Sequence, residues 1–131
     1  MQLKIIDIIN LLPLYGTIKD LVLPIKTSYK LSKLFKALNK ENEFYKDSMN
    51  KLINEYSVKD NQGKPLMTND GVKIQESRLN ECQEKVNELL EWEVTIPDIK
   101  FAVEELEKMN LSMESFMLLE NFIEEEKEQD G

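Results

Sequence analysis

One stretch limits what this chain can fold into. From Thr27 to Tyr56 there is no Pro or Gly, and Leu31, Leu34, Phe35, Leu38, Tyr45, Met49, Leu52, Ile53 and Tyr56 recur at steps of three and four. At roughly 100° per residue these positions share one sector about 100° wide. The spacing therefore predicts a single long amphipathic helix over 27–56 with that stripe turned inward. Lys26, Lys30, Lys33, Lys36 and Lys40 recur at the same steps, and this reading puts them on the opposite, outer side. Thr27 or Ser28 stands ready to cap the start, just after Pro24.

A helix of that length needs other elements laid against its apolar stripe. The chain has 131 residues, 41% of them hydrophobic and 32% charged, enough for a single domain over 1–131 with a core of its own. Four Gly and four Pro leave little room for the many tight turns of a sandwich or barrel. The expected fold is mainly α (α+β): the long helix packed with shorter helices and a small two- or three-stranded sheet.

The first 24 residues read as an apolar, helical N-terminal segment. Lys4, Asp7 and Asn10 form a narrow polar stripe three residues apart, amid Leu3, Ile5, Ile6, Ile8, Ile9, Leu11 and Leu12. That spacing is helical, although the β-branched isoleucines also suit a strand. A helix so apolar needs cover on most sides, and Ile5, Ile6, Ile9 and Leu12 are the candidates for burial against another subunit. Pro13 to Gly16 reads as a turn, with Thr17 capping a second short helix to Leu23 that Pro24 stops.

Beyond the long helix, 57–97 reads as loop, strand, helix and strand. Asp60-Asn61-Gln62-Gly63 and Asn69-Asp70-Gly71 are turn sequences that frame a hairpin or a long loop. Val72–Ile74 and Trp92–Ile96 are strand candidates on either side of a helix over Glu76–Glu91. They could pair with each other in a minimal βαβ unit, or Val72–Ile74 could run antiparallel to Ser57–Thr68. Two C-terminal helices follow over 102–124, the second capped by Ser112 ahead of Phe116, Leu118, Leu119, Phe122 and Ile123. Residues 125–131 read as a frayed acidic tail.

The chain has no histidine and one cysteine. That removes Ser-His-Asp and Cys-His catalysis, His-based zinc sites and thiolate clusters. Cys82 sits with Leu79, Val86, Leu89 and Leu90 as a small core residue. Gly63-Lys64-Pro65 lacks the upstream glycine and hydroxyl of a phosphate-binding loop. Asp60–Gly63 lacks the alternating acids of a calcium loop. Glu81, Glu84, Glu88 and Glu91 share a helical face, read as solvated. No constellation names a reaction, so no enzyme and no cofactor are expected. No apolar run reaches the length of a membrane span, and the start of the chain lacks the basic lead of a signal peptide.

The net charge of −8 is unevenly spread. Residues 1–40 carry seven lysines against two aspartates, whereas 41–131 carry ten cations against 23 acids. The acidic body disfavours nucleic acid as a partner. The lysine stripe Lys26, Lys30, Lys33, Lys36 and Lys40, with Phe44 beside it, is the candidate docking face for an acidic partner.

Leu23-Pro24-Ile25-Lys26 leads into Ser28-Tyr29-Lys30-Leu31-Ser32-Lys33, and the long helix closes on Leu52-Ile53-Asn54-Glu55-Tyr56 before Lys59-Asp60-Asn61-Gln62-Gly63-Lys64-Pro65. Asn87-Glu88-Leu89-Leu90-Glu91-Trp92-Glu93-Val94 and the final apolar helix Leu111–Ile123 complete the order. In this it resembles a family of small uncharacterised proteins encoded by tailed bacteriophages and prophages of Gram-positive bacteria. The resemblance covers Leu23–Ile123 and implies expression in a bacterial host cytoplasm; it carries no functional residues over. The leading expectation is a non-enzymatic, oligomeric module that binds a host or phage protein, inhibiting a host defence or redirecting a host protein. The alternatives are a virion or assembly accessory protein or chaperone, and an oligomeric sponge for an anionic nucleotide signal at Lys26, Lys30, Lys33 and Lys36.

Overall fold

The apolar stripe folds as its spacing predicts. In the computed structural model, which describes residues 1–125, helix α3 runs from Ile25 to Tyr56. Its 32 residues span about 48 Å at the usual rise per residue. It begins two residues before the expected cap. Pro24 takes the capping position with an extended backbone, and its carbonyl accepts the first helical bond from the Ser28 N–H at 3.0 Å. Thr27 caps nothing, because it is already inside the helix and buried.

Before α3 come strand β1 (Gln2–Lys4), helix α1 (Ile5–Leu11) and helix α2 (Leu14–Ile18). After it come the short strands β2 (Met67–Thr68) and β3 (Gly71–Val72), then a 3₁₀ turn (Glu76–Arg78) running into α4 (Leu79–Leu90). Strand β4 (Glu93–Thr95), helices α5 (Val103–Glu107) and α6 (Met113–Leu118) and a closing 3₁₀ turn (Glu120–Phe122) complete the described chain. The fold is mainly α, with two small antiparallel pairs of strands. The tail expected over 125–131 lies, beyond Glu125, outside the described residues.

The N-terminal segment takes both conformations that its isoleucines allow. Gln2, Leu3 and Lys4 pair antiparallel with Thr95, Val94 and Glu93, and the Ile96 N–H donates to the Met1 carbonyl at 2.9 Å. The chain then turns helical at Ile5, where the Asp7 carboxylate accepts from the Lys4 N–H at 3.1 Å. Ile5, Ile8 and Leu11 recur every third residue and are buried, so α1 lies along the first half of α3. The second helix is shorter than expected and begins at Leu14, with Pro13 in the position before it. Thr17 is inside that helix and caps nothing, and after a turn at Lys19-Asp20 residues 21–24 connect to α3 without regular structure.

Val72–Ile74 and Trp92–Ile96 do not pair with each other. Val72 pairs with Met67 and Gly71 with Thr68, and Ile74 bridges back to Ser57, all antiparallel. This is the arrangement open to the Ser57–Thr68 segment. Gly71 closes the two-residue turn at Asn69-Asp70 with φ +105, a conformation that favours glycine. The Asp60 carboxylate accepts from the Gln62 and Lys64 N–H groups at 2.8 and 3.0 Å, so that loop uses its acid to hold its own turn.

One core cluster joins both ends of the chain: Leu3, Ile5, Ile8, Leu11, Leu14 and Ile18 meet Leu31, Leu34, Phe35 and Leu38 of α3 and Ile96, Phe101, Leu106, Leu119 and Phe122. Cover along α3 is uneven. Leu31, Leu34, Phe35 and Leu38 are buried, whereas Tyr45, Met49, Leu52 and Ile53 are half-buried, with α4 packed against the helix. Cys82 of α4 is buried, as a core residue would be, but Leu79 of the same expected stripe is exposed. The apolar run after Ser112 also divides. Leu119 and Phe122 are in the core, whereas Phe116 and Leu118 are more than a third exposed.

Candidate partner-binding surface

The first half of α3 presents an outer face on which Ile25, Tyr29, Lys33, Lys36 and Lys40 follow one another at helical spacing. Ile25 is 88% exposed and Tyr29 67%. Beside them Val22, in the connection that Pro24 terminates, is fully exposed. Because Pro24 stops the connection just before α3, the apolar run Leu21-Val22-Leu23 cannot continue as a helix and tuck its side chains away. Leu23 turns partly inward against the core; Val22 does not.

Where this connection runs past α3 it leaves a groove of about 310 Å³. Tyr15, Ile18, Leu21 and Leu23 line it on one side, Leu31 and Phe35 on the other, with Lys19 and Lys36 also on its lining. The Tyr15 and Phe35 rings meet at 5.5 Å between centroids, tilted by 60°. Residues 13–40 contain six lysines and one acid, Asp20. The groove is thus mainly apolar within, with Ser28, Ser32 and Asn39 also on its lining, and basic around.

Of the expected docking residues, Lys26, Lys33, Lys36 and Lys40 are exposed, and no ion pair among the described residues engages them. Lys30 departs from the reading. It lies only about 40° beyond the edge of the apolar sector, on the flank that Glu105 of α5 reaches. Its ammonium donates to Glu105 Oε1 at 2.6 Å and stands 5.6 Å from the centre of the Phe101 ring. The Thr27 hydroxyl donates to the other carboxylate oxygen at 2.8 Å, and the Ala102 N–H donates to Oε1 at 3.3 Å. The quartet expected to hold an anionic nucleotide therefore keeps three members on the outer face.

Burial acts to raise the Glu105 pKa, but the hydrogen bonds from Lys30, Thr27 and Ala102 outweigh it and hold the carboxyl below its ordinary value. Because the unfolded chain binds that proton more readily, the contribution is fully present above the ordinary glutamate range. It drains away as pH falls through the lowered folded value. Glu105→Gln should cost about 1–2 kcal/mol at neutral pH. The variant should also lose less melting temperature than the parent between about pH 6 and about pH 3; calorimetry at the two pH values checks both.

Phe44 is 47% exposed and follows Lys40 by one helical turn. It borders a second, wide depression with Leu89 and Trp92, among Lys85, Glu88, Glu91 and Glu93. Ile5, one of four residues expected at a subunit interface, is fully buried in this chain's own core. Ile6, Ile9 and Leu12 are half-buried, the last two packed against that core. For Ile5 the cover expected from another subunit comes from the chain's own core.

A further polar cluster pins the end of α3 to the start of α4. The Tyr56 hydroxyl donates to Glu81 Oε1 at 2.9 Å, and the Arg78 guanidinium lies 4.2 Å from the centre of the Tyr56 ring. The hydrogen bonds from Tyr56 and Arg78 lower the Glu81 carboxyl, while burial and that carboxylate push the Tyr56 phenol above its ordinary value. Such a phenol holds its proton, which suits a structural tie. Among the described residues, no group of three or more acidic or cysteine side chains is placed to hold a metal ion, and no helix is long and apolar enough to cross a membrane.

Tyr15, Val22, Ile25 and Tyr29 were not among the residues singled out by spacing. The signal was present in Leu21-Val22-Leu23-Pro24-Ile25, a run of apolar residues around a proline, but an apolar run reads as core until its neighbours are known. Compared with family models, with curated proteins and with solved structures, the chain shows no match.

Proposed function

We propose that this chain acts by binding another protein, not by transforming a substrate, and that the basic and apolar face over residues 15–40 is where the partner docks. One observation carries the reading: Val22, Ile25 and Tyr29 stand exposed together beside an apolar groove, inside a frame of lysines. A contiguous apolar patch rimmed by one sign of charge is the physical form of a protein-docking site. The lysines select for an acidic partner and speed its approach, and the apolar residues supply the burial. The resemblance to phage-encoded proteins supports a bacterial host protein as that partner, one that binding would block or redirect.

The test is recovery of partners by the tagged chain from bacterial lysate, followed by cross-linking through lysine. Lys33→Glu with Lys36→Glu should lower recovery of a specific acidic partner at least about tenfold, and added salt should weaken the parent's binding. Cross-links should fall on Lys26, Lys33, Lys36 or Lys40. Equal recovery by parent and variant would sink the proposal. So would capture of anionic vesicles in place of any protein, since lysines beside Val22 and Ile25 also suit a charged lipid surface.

A further inference from the structure

The partner chemistry that the groove selects, apolar side chains among acids, also occurs on this chain. Helix α6 anchors to the core through the residues just after it, with Leu119 and Phe122 buried. That leaves the helix itself standing outward. Met113 and Met117, one helical turn apart, are 77% and 60% exposed. Around them Glu114, Glu120, Glu124 and Glu125 are exposed, and residues 113–125 contain no cation.

We propose that α6 of one copy docks on the groove between residues 15 and 36 of another, joining copies head to tail. The inference rests on reading that face as a protein-docking surface, and it names the partner as a second copy of the chain. Three observations favour this occupant. The charges are opposite, lysines around the groove and glutamates around the helix. The shapes are opposite too: a groove of about 310 Å³ takes inserted side chains, and unbranched methionines adapt to such a space. Lastly, among the described residues the groove is lined by 15–39 alone, so α6 of the same copy does not fill it.

The acidic depression at Phe44 and Trp92 fits less well as the counterpart, because it is itself a hollow. Two hollows cannot interdigitate. Since the groove and α6 are different patches, the contact is heterologous. It leaves one groove and one helix unmatched at the ends of an open assembly, or closes a ring if the rotation allows.

The whole chain tests this by sedimentation. The parent should self-associate with rising concentration and dissociate as salt is added. Leu21→Glu with Lys36→Glu removes the groove, and Met113→Lys with Met117→Lys removes the helix face; all four side chains are exposed, and melting curves verify folding. Each double variant alone should be monomeric, with its self-dissociation constant raised at least about tenfold. An equal mixture of the two should form a dimer and nothing larger, because one intact groove meets one intact helix. A parent that stays monomeric into the millimolar range overturns the proposal. Self-association that survives in the methionine variant, or a mixture that stays monomeric, does the same.

A second measurement needs no variant. Carbodiimide coupling of isotope-labelled with unlabelled chains should join Lys19 or Lys36 of one copy to Glu114 or Glu120 of another; links confined to single copies count against it. A monomeric parent whose groove variant still loses its lysate partner would end self-docking and leave the binding reading intact. A self-associating parent whose groove variant keeps that partner would do the reverse.

Discussion

Leu38→Asp should destabilise the chain by about 4 kcal/mol or more, enough to unfold most of a marginally stable domain. Leu38 is fully buried at the middle of the α3 stripe, with Leu34 fully buried one turn before it. A carboxylate there meets no lysine of its own turns: Lys36 and Lys40 are exposed on the opposite side of the helix. The group must shed its water or take up a proton, and either route costs several kcal/mol. Lys33→Ala, on the exposed face, should stay within about 0.5 kcal/mol. Denaturant unfolding of the two variants makes the comparison, and similar midpoints would mean that the faces of α3 are assigned the wrong way round.

The second large effect concerns the C-terminal segment. Phe101→Ala should cost about 3–5 kcal/mol, the usual range for a phenylalanine removed from a filled core. Phe101 is fully buried, its N–H donates to the Phe122 carbonyl at 2.6 Å, and the Lys30 ammonium sits over its ring. Removing the ring opens a cavity between α3 and the last turn and takes away the surface on which the Lys30–Glu105 pair rests. Phe116→Ala makes the same chemical change at a side chain 38% exposed, and should cost about 1 kcal/mol or less. Equal losses at the two positions would contradict the division of that apolar run into core and surface.

The contrast between Phe101 and Phe116 marks where the sequence stops being informative. Local period is legible: the α3 stripe repeats from Leu31 to Tyr56, and the Ser112 oxygen accepts from the Ser115 N–H at 3.2 Å as a cap should. What covers a periodic face is not local. Lys30 reads as an outer lysine because no helical projection can foresee Glu105, 75 residues away. Ile5 reads as a surplus for another subunit because β4 and α3 are invisible from its own neighbourhood. Phe44 reads next to lysines along the helix, and only the fold shows that Trp92 and glutamates also stand beside it. The docking face was half legible. Its lysines repeat, while Val22, Ile25 and Tyr29 acquire meaning only once nothing is found to bury them.

The pairing of β1 with β4 sets an order of events during translation. The Met1 carbonyl receives its bond from Ile96, so β1 has no mate until about ninety further residues have been added. At ordinary rates of about 5–20 residues per second, that is a wait on the order of 5–20 s. Throughout it Leu3 waits without Val94 across from it, while Ile5 and Ile8 gain their cover earlier, once α3 has followed α1 out of the ribosome.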